Sequence, residues 1–309
     1  MTILVTDNIH LSFFREMEGS AFEIDYRPEI DQQGILEIIQ EFEGIIINSK
    51  TTADKTLIDK GKKLKFIARM GSGMEIVDME YAQQNNIACI NTPEGNCDAV
   101  ADFAIGILIS LLRNIHLSEQ EVRNSKWERE KNRGTEIGGK TVGIYGYGNT
   151  GSAFAKRLSG FDVKVLAYDK YKTGFSSGHV KESTPEEIFE HADILSLHLP
   201  LTTETIHLVD YDFLTRFKKR IWLINTARGQ NIKTIDLLKA VRESKVLSAA
   251  LDVLENEKLN RLSPNEKEWF DALVKERRVL LTPHLAGLTK ESKEKIAMLL
   301  ATKIKKLQS

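Results

Sequence analysis

The sequence has 309 residues, of which 41% are apolar and 28% are charged, as is typical of a globular chain of about two domains. Its formal net charge of -1 does not favour binding to nucleic acids or to anionic membranes. The two cysteines, Cys89 and Cys97, form neither a disulfide framework nor a metal-ligand spacing, and the first residues lack a signal peptide. These features predict a cytoplasmic protein that binds no nucleic acid, membrane or metal.

Short apolar runs alternate with helical patterns over residues 1–96, which predicts a small parallel α/β unit. The predicted elements lie in order at residues 3–5 (strand), 22–26 (strand), 31–39 (helix), 44–47 (strand), 52–60 (helix), 66–68 (strand), 78–84 (helix) and 87–90 (strand). The run 44–47 lacks polar alternation and is expected to be buried on both faces. The segment 91–96, Asn-Thr-Pro-Glu-Gly-Asn, breaks the pattern and indicates a domain boundary.

A longer helix is predicted from residue 98 to residue 124. Its apolar part, 103–112, is too short to span a bilayer, so burial between domains or subunits is expected. Strands and helices then alternate again, which predicts a second parallel sheet. The predicted elements lie at residues 141–145 (strand), 152–158 (helix), 163–168 (strand), 184–187 (helix start), 194–199 (strand), 211–217 (helix), 221–225 (strand), 234–244 (helix), 248–253 (strand), 279–281 (strand) and 289–304 (helix).

Three glycines spaced G-x-G-x-x-G follow the predicted strand 141–145 and begin a helix. Gly146 permits a tight turn, Gly148 lets a pyrophosphate approach the backbone, and Gly151 lets the helix pack close to the strand. The helix N-terminus offers backbone N–H groups and a partial positive charge to the phosphates. This spacing also occurs in ordinary glycine-rich turns, but its position between strand and helix predicts a dinucleotide site.

An acidic residue, Asp169, ends the next predicted strand, 23 positions after Gly146. Its carboxylate is expected to accept hydrogen bonds from the ribose hydroxyls of the adenosine and to repel a 2′-phosphate, which favours NAD over NADP. Lys170 and Lys172 lie next to it in the sequence and weaken this preference. NAD is therefore the predicted cofactor.

Three candidate catalytic residues, Arg228, Glu257 and His284, lie just past predicted strands, where open parallel sheets bind their ligands. Hydride transfer to a 2-oxo acid needs a fixed cation for the carboxylate, a general acid for the carbonyl oxygen, and a carboxylate that raises the pKa of a histidine acid. Spacing alone leaves a surface ion pair for Arg228 and a structural role for His284 about equally open, and for Glu257 it favours a solvated loop. His191 and His198 also flank a strand and compete for the acid role.

The segments that carry these residues resemble those of the D-isomer-specific 2-hydroxyacid dehydrogenases, in the family's order. They are the glycine motif, Asn-x-x-Arg-Gly, Leu-Asp-Val with a Glu five positions after the Asp, and Pro-His-x-x-x-x-Thr. The resemblance covers essentially the whole chain. It implies that Arg228, Glu257 and His284 are catalytic.

The resemblance also implies an α/β fold of two Rossmann-like domains with doubly wound parallel sheets. A discontinuous substrate domain would comprise residues 1–96 plus 285–309, and an NAD-binding domain residues 97–284. A homodimer formed through the helix 98–124 is implied as well. Further cofactor contacts are implied for Ser72, Asn149, Thr150, Leu199, Pro200, Thr226, Asp252 and Gly287, and substrate contacts for Asn48, Arg69, Ser72, Gly73 and, from the partner subunit, Arg129.

The segments 126–129 and 134–141 resemble the branch of the family that acts on 3-phosphoglycerate. Arg69 and Arg129 match residues that face the substrate phosphate in that branch, and cations at these positions suit a doubly charged group. Asn48 stands where the family usually has an arginine, and Lys50 supplies only a point charge. The predicted function is an NAD-dependent dehydrogenase of a small D-2-hydroxy acid, with 3-phosphoglycerate preferred. The alternatives are a hydroxypyruvate or glyoxylate reductase, an NAD-sensing corepressor-like module, and a nucleotide-binding paralogue without activity.

Overall fold

The structure, a computed structural model, describes residues 1–308. It divides into two compact units. The outer unit is formed by Met1–Cys97 together with the chain from Leu288 onward, and the central unit by Asp98–Gly287. The domain boundaries predicted from the sequence, after residues 96 and 284, and the assignment of substrate and cofactor to separate domains stay predictions.

Residues 1–308 form 12 strands and 12 α-helices, with short 3-10 helices at Ile39–Glu41, Gly229–Asn231, Leu259–Arg261 and Lys306–Gln308. The strands are β1 (Thr2–Val5), β2 (Glu23–Tyr26), β3 (Gly44–Ile47), β4 (Phe66–Arg69), β5 (Ala88–Ile90), β6 (Thr141–Tyr145), β7 (Lys164–Tyr168), β8 (Val180–Glu182), β9 (Ile194–Leu197), β10 (Ile221–Asn225), β11 (Val246–Leu251) and β12 (Val279–Leu281). The helices are α1 (Ser12–Met17), α2 (Gln32–Ile38), α3 (Lys55–Lys60), α4 (Met79–Gln84), α5 (Cys97–Leu112), α6 (Ile115–Arg123), α7 (Asn149–Leu158), α8 (Pro185–His191), α9 (Tyr211–Thr215), α10 (Thr234–Arg242), α11 (Pro264–Lys275) and α12 (Lys290–Lys305).

The outer unit contains a parallel five-stranded sheet in the order β2-β1-β3-β4-β5. Successive side chains of β3 point to opposite faces, and both faces are covered. Ile46 packs in a core with Leu300 of α12, whereas Ile45 and Ile47 pack in a second core with Leu57 of α3. Burial on both faces explains why this strand shows no polar alternation.

The central unit contains a parallel seven-stranded sheet in the order β12-β11-β10-β9-β6-β7-β8. Strand β6 is the first strand of the central unit along the chain, and it lies in the interior of the sheet. The chain then adds strands on one side through β7 and β8, and on the other side from β9 to β12. The boundary between β6 and β9 is thus a topological switch point.

Several helices of both units begin where capping chemistry predicts. Thr184 accepts a hydrogen bond from the Glu187 backbone N–H and the Glu187 carboxylate accepts one from the Thr184 N–H, with Pro185 in the first turn. Thr289 forms the same kind of reciprocal cap with Ser292 at the start of α12. These starts are set by local sequence.

The helix predicted from 98 to 124 is in fact two helices, because α5 ends at Leu112 and α6 begins at Ile115. Asn114 between them has φ +51°, a left-handed conformation that asparagine tolerates better than most residues. Helix α11 and strand β8 were not predicted from the sequence. Leu273 is the one buried residue of α11, and the partly buried Trp269 and Ala272 pack against the same core. In residues 1–308 no single helix is long and apolar enough to cross a membrane, and α5 with α6, bent by 66°, meets those criteria only as a pair.

Candidate active site

Most of the predicted site residues follow strands of the central sheet. All seven strands run parallel, so these residues lie along the carboxyl edge of the sheet. At the switch point, Gly146 follows β6 and His198 follows β9. A Cβ added to Gly146 would lie 2.5 Å from the carbonyl oxygen of His198, so the two loops approach closely. Open α/β sheets bind ligands in the crevice at such a point.

The glycine turn has the geometry that a phosphate cradle needs. Gly146 has φ +97°, and a Cβ on Gly151 would lie 2.0 Å from the carbonyl oxygen of Gly146, so both positions exclude a side chain. A Cβ on Gly148 would instead meet no described atom within 4 Å. Helix α7 begins at Asn149 and Thr150, and no side chain in the described part of the chain caps it. Its first backbone N–H groups suit a pyrophosphate.

The carboxylate of Asp169 is held beside this turn. Its Oδ2 accepts a hydrogen bond from the Tyr147 backbone N–H at 2.8 Å. Its Oδ1 accepts from the N–H groups of Tyr171 and Lys172 at 2.9 and 3.0 Å. Each carboxylate oxygen has two lone pairs, and Oδ2 accepts only one of these bonds, so a further hydrogen bond from a ribose hydroxyl remains possible there. The arrangement matches the acidic position of the dinucleotide motif.

His284 and Glu257 form a hydrogen-bonded pair although 27 positions separate them. Nδ1 of His284 lies 3.0 and 3.1 Å from the two carboxylate oxygens of Glu257. The hydrogen bond with Glu257 raises the pKa of His284 and outweighs the opposing effect of burial. Burial would raise the pKa of Glu257, but the hydrogen bond and charge of His284 hold it below its usual value. The pair can therefore hold a proton at the histidine and release it, and the carboxylate favours the protonated form.

The backbone around His284 is held in an unusual conformation. His284 has φ +57°, which costs about 1 kcal/mol for a residue with a Cβ. Its backbone N–H donates to the carbonyl oxygen of Asp252 at 2.7 Å. The buried Asp252 carboxylate accepts from the Thr282 hydroxyl at 2.6 Å and from the N–H groups of Leu285 and Ala286 at 2.9 and 2.8 Å. Asp252 thus secures the loop that presents the imidazole. Its predicted contact with the cofactor stays a prediction.

Arg228 follows β10, and its turn packs against the segment that leads to Glu257. A Cβ on Gly229 would lie 1.9 Å from the carbonyl oxygen of Leu254, so glycine is required beside the arginine. The positive charge of Arg228 makes a smaller contribution: it helps to lower the pKa of Glu257 and opposes part of the rise in the pKa of His284. The structure therefore brings the three candidate catalytic residues into one electrostatic environment. Gly229 lies in the Asn-x-x-Arg-Gly motif, but its packing role was not predicted.

Neither competing histidine has these properties. His198 is only 7% exposed, its Nε2 contacts the Ser196 hydroxyl at 2.9 Å, and burial lowers its pKa to about 3. His191 lies at the exposed end of α8, and its carbonyl oxygen accepts a hydrogen bond from Lys219 at 2.8 Å. A buried neutral imidazole is poorly suited to proton exchange with a ligand. His191 precedes β9, so it lies at the opposite edge of the sheet from the predicted site.

The outer unit holds the predicted substrate turn, which follows β4. Nη1 of Arg69 donates to the carbonyl oxygen of Gly73 at 2.6 Å, which closes the turn. Gly71 has φ +145°, a conformation that favours glycine. The Ser72 hydroxyl donates to Oδ1 of Asn96 at 2.8 Å. Arg69, Ser72 and Gly73 thus form one connected turn at the carboxyl edge of this sheet.

Asn48, the remaining predicted substrate residue of the outer unit, follows β3 at the same edge. Its backbone N–H donates to the Asp7 carboxylate at 3.0 Å, which places a negative charge beside it. Lys50 donates to the carbonyl oxygen of Pro28. Position 48 therefore offers an amide side chain close to the Asp7 carboxylate, and the ammonium group of Lys50 is bound to the backbone of Pro28. Asp7 was not predicted from the sequence.

The other predicted residues have varied surroundings. The hydroxyl of Thr226 is buried and has no hydrogen-bond partner among residues 1–308. The carbonyl oxygen of Pro200 accepts from the Thr205 hydroxyl at 2.7 Å, and a Cβ on Gly146 would lie 3.3 Å from Leu199. Gly287 ends the central unit, directly after the Asp252-bound loop. An orphaned hydroxyl at the edge and an open cradle at the glycine turn fit a bound dinucleotide.

Arg129 is not brought to the edge by any contact described for residues 1–308. It lies in the exposed segment between α6 and β6, two positions from Trp127, which is 78% exposed. The carboxylate of Glu121 holds this segment through a hydrogen bond from Asn132 at 2.6 Å. In the same described range, no group of three or more His, Cys, Asp or Glu side chains is arranged to hold a metal ion.

Comparison with known proteins agrees with this geometry. Residues 105–286 match the family model described as the NAD binding domain of D-isomer specific 2-hydroxyacid dehydrogenases. The chain belongs to the D-isomer specific 2-hydroxyacid dehydrogenase family. The family predicted from the motifs is thus confirmed.

Three similar proteins illustrate the range within the family. The chain is 33% identical over 277 residues to a hydroxypyruvate reductase from Thermotoga maritima, covering 89% of this chain and 88% of that protein. It is 31% identical over 306 residues to a D-3-phosphoglycerate dehydrogenase from Archaeoglobus fulgidus, covering 98% of this chain but only 56% of that longer protein. A solved NADPH-dependent glyoxylate/hydroxypyruvate reductase from Sinorhizobium meliloti, in complex with NADP and malonate, superposes with a TM-score of 0.82 at 27% identity, over 100% of this chain and 93% of that one.

These comparisons test the predictions to different depths. The α/β fold with two Rossmann-like, doubly wound sheets is confirmed, as is the class of enzyme at the level of the family. The cofactor is confirmed as a nicotinamide dinucleotide. Relatives named for 3-phosphoglycerate and for hydroxypyruvate match at similar identity, so the preferred substrate stays a prediction, as do the homodimer and the cytoplasmic location.

Proposed function

We propose that this protein interconverts a small D-2-hydroxy acid and its 2-oxo acid, with NAD as the cofactor. The observation that carries the proposal is the His284–Glu257 pair in the field of Arg228, at the carboxyl edge of the central sheet. Proton exchange, support of the proton-bearing group and carboxylate binding are the three roles that this reaction requires of side chains.

His284 is the proposed acid and base. Glu257 accepts the Nδ1–H hydrogen bond, so Nε2 is the ring nitrogen that exchanges a proton with the substrate oxygen. The carboxylate favours the charged imidazole and orients the ring. Arg228 binds the substrate carboxylate through its planar guanidinium and polarises the adjacent carbonyl.

The glycine turn, Asp169 and Thr226 are proposed to hold the cofactor. Gly148 and the start of α7 receive the pyrophosphate, Asp169 the adenosine ribose, and the orphaned Thr226 hydroxyl a polar group of the dinucleotide. When bound, the nicotinamide supplies or accepts the hydride. Asn149, Thr150, Leu199, Pro200, Asp252 and Gly287 of the central unit are proposed as further cofactor contacts. The contact from Ser72 of the outer unit stays a prediction.

The first proposed substrate pair is 3-phosphoglycerate and its 2-oxo acid. Arg69 supports this proposal as a cation within the substrate turn, and relatives named D-3-phosphoglycerate dehydrogenase support it further. A second candidate is a 2-oxo acid without a phosphate group, such as hydroxypyruvate or glyoxylate. The Asp7 carboxylate beside Asn48 favours it, because a negative charge at the edge repels a phosphate.

The predicted homodimer and cytoplasmic location are part of the proposal. The exposed segment that carries Trp127 and Arg129 supports an interface, since an exposed tryptophan next to a cation is typical of contact surfaces. The mass of the purified protein in solution, measured by sedimentation velocity, tests the dimer. A monomer at micromolar concentration would contradict it.

A substrate panel tests the proposed activity. Purified protein is assayed with 3-phosphohydroxypyruvate, hydroxypyruvate, glyoxylate and pyruvate, each with NADH. The reverse reactions are assayed with the corresponding 2-hydroxy acids and NAD. The proposal expects turnover of at least one pair that is lost in a His284→Asn control. Binding of NADH without turnover of any pair would contradict the proposed enzymatic activity and favour an NAD-sensing, corepressor-like module.

A further inference from the structure

Each of the two lysines that follow Asp169 is bound to another group in the structure. Nζ of Lys170 donates to Oε2 of Glu204 at 2.7 Å. Nζ of Lys172 donates to the carbonyl oxygen of Tyr147 at 3.3 Å and lies 5.9 Å from the centre of the Tyr147 ring. The sequence suggested that both lysines weaken the preference for NAD. Their contacts indicate that the charge of Lys170 in particular is already neutralised.

Glu204 joins two loops at the carboxyl edge of the central sheet. It lies in the loop after β9, whereas Lys170 and Tyr171 lie in the loop after β7, and β9 and β7 pair with opposite edges of β6. The Tyr171 hydroxyl also donates to Oε2 of Glu204, at 2.8 Å. The hydrogen bonds from Lys170 and Tyr171 hold the pKa of Glu204 below its usual value, so its carboxylate is ionised at neutral pH.

We propose that Glu204 is a second determinant, beside Asp169, of the preference for NAD over NADP. This inference rests on the proposed function, because it assigns the adenosine ribose to Asp169. NADP differs from NAD by a 2′-phosphate, and sites that accept it surround that phosphate with cations. Glu204 pairs with Lys170, the cation that lies nearest in sequence to the proposed ribose acceptor, Asp169.

The charges around the ribose position support this role. Two carboxylates, of Asp169 and Glu204, balance the two ammonium groups of Lys170 and Lys172, so the formal sum of these four groups is zero. An exposed ion pair contributes little to folding stability, so separating Lys170 from Glu204 costs little. If Lys170 left Glu204 to bind a 2′-phosphate, the unpaired Glu204 carboxylate would repel the doubly charged phosphate, which opposes binding of NADP.

Equilibrium binding of NADH and NADPH to Glu204→Gln tests the inference. The titrations use the full chain and follow nicotinamide fluorescence, with NADPH also measured by competition against NADH. The variant is expected to bind NADPH roughly threefold to tenfold more tightly than the wild type, since a negative charge is removed and Lys170, next in sequence to the proposed ribose acceptor Asp169, is released. The NADH affinity is expected to stay within about twofold. The gain should shrink in high salt, because salt screens exposed charges.

A matched control separates this effect from a general change in net charge. Asp271→Asn breaks the Lys267–Asp271 pair of α11, whose side chains are 64% and 48% exposed, against 54% and 53% for Lys170 and Glu204. It should leave both affinities unchanged. A double variant, Lys170→Met with Glu204→Gln, should lose the gain in NADPH affinity, because the lysine that Glu204→Gln releases is then absent.

The two possible failures are distinguishable. If the wild type does not bind NADH, the proposed function fails and this inference fails with it. If the wild type binds NADH but Glu204→Gln binds NADPH no better than Asp271→Asn does, only the inference is overturned. A gain that persists without Lys170 would also overturn the proposed route through that lysine.

Discussion

Two histidines at the carboxyl edge of the central sheet differ in almost every physical property. His198 follows β9 directly, is buried, and has a pKa lowered to about 3 because burial penalises its charged form. His284 follows β12, is half exposed, and has a raised pKa because Glu257 accepts its Nδ1–H hydrogen bond. His284 also has a strained backbone, which Asp252 secures. Strain of this kind is often found at functional sites.

The comparison shows that a histidine placed after a strand is not by itself a functional residue. Both side chains start from the same edge of the same sheet. An acidic partner and access to the outside make one of them able to exchange a proton at neutral pH, and their absence keeps the other neutral. The role is therefore determined by the neighbours that tertiary packing supplies.

The largest difference is expected from removing each imidazole. His284→Ala should lower kcat by roughly 10²–10⁴-fold because the general acid is lost. His198→Leu should change kcat by about threefold or less, since His198 contacts Ser196 and Phe154 rather than the catalytic pair. Steady-state kinetics with saturating NADH measures both. NADH affinity serves as the control and should be preserved in each variant. Near-wild-type kcat in His284→Ala would contradict the proton role.

A smaller loss is expected when the backbone of His284 is loosened. In Asp252→Asn an NH2 group, which cannot accept a hydrogen bond, replaces one carboxylate oxygen. At least one of the bonds from Thr282, Leu285 and Ala286 is therefore lost. The value of kcat/KM should fall roughly tenfold to a hundredfold, since a small displacement of a catalytic group is costly. The pH profile should shift less than in Glu257→Gln, because the hydrogen bond from Glu257, the largest cause of the raised pKa of His284, is intact and only the smaller contribution of the Asp252 charge is lost. An unchanged kcat/KM would show that the loop is held by other contacts.

Glu257→Gln should instead move the pH profile. For reduction, His284 must carry the proton, so kcat/KM falls as the pH rises through its pKa. Removing the carboxylate lowers that pKa towards the ordinary value, so the fall should occur at lower pH than in the wild type. For oxidation, His284 must be neutral, and the rise of kcat/KM should also begin at lower pH. Profiles in both directions measure the shift. A shift to higher pH would be incompatible with the pairing.

The smallest expected effect concerns His198 and stability. Its pKa is lower in the folded state than in the unfolded chain, so the unfolded state binds more protons below about pH 6.5 and stability decreases as the pH falls. Between pH 7 and pH 5.5 this group should account for about 1 kcal/mol of lost unfolding free energy. In His198→Leu that share of the pH dependence should vanish. Urea unfolding at both pH values measures it, and the constant loss of the Ser196 contact cancels in the comparison. An identical pH dependence would rule out a neutral His198.

Features that depend on neighbouring residues could be predicted from the sequence. The glycine spacing predicted where a side chain is excluded and where space is left, because the backbone conformation of a strand–turn–helix is a local property. The caps at Asp31, Thr184 and Thr289 were equally local. The apolar run of β3 predicted burial on both faces.

Features that depend on packing were missed or incomplete. The break at Asn114 follows no proline or glycine, so no helix-breaking residue marks it in the sequence. The contact between Lys170 and Glu204 joins residues 34 positions apart, and the pattern around either residue does not indicate the other. The lysines were therefore expected to act against Asp169, whereas one of them is paired.

The order of residues alone determined the family, the class of fold and the residue types that the reaction needs, since motif spacing reflects backbone conformations that a few adjacent residues specify. Tertiary structure decided which of those residues meet. Glu257 and His284 come together because β11 and β12 are neighbours in the sheet, and their pKa values shift only once that pairing brings the carboxylate within 3.0 Å of the imidazole. Such contacts depend on strand order and on the backbone conformation at His284, which the spacing of residues along the chain does not contain.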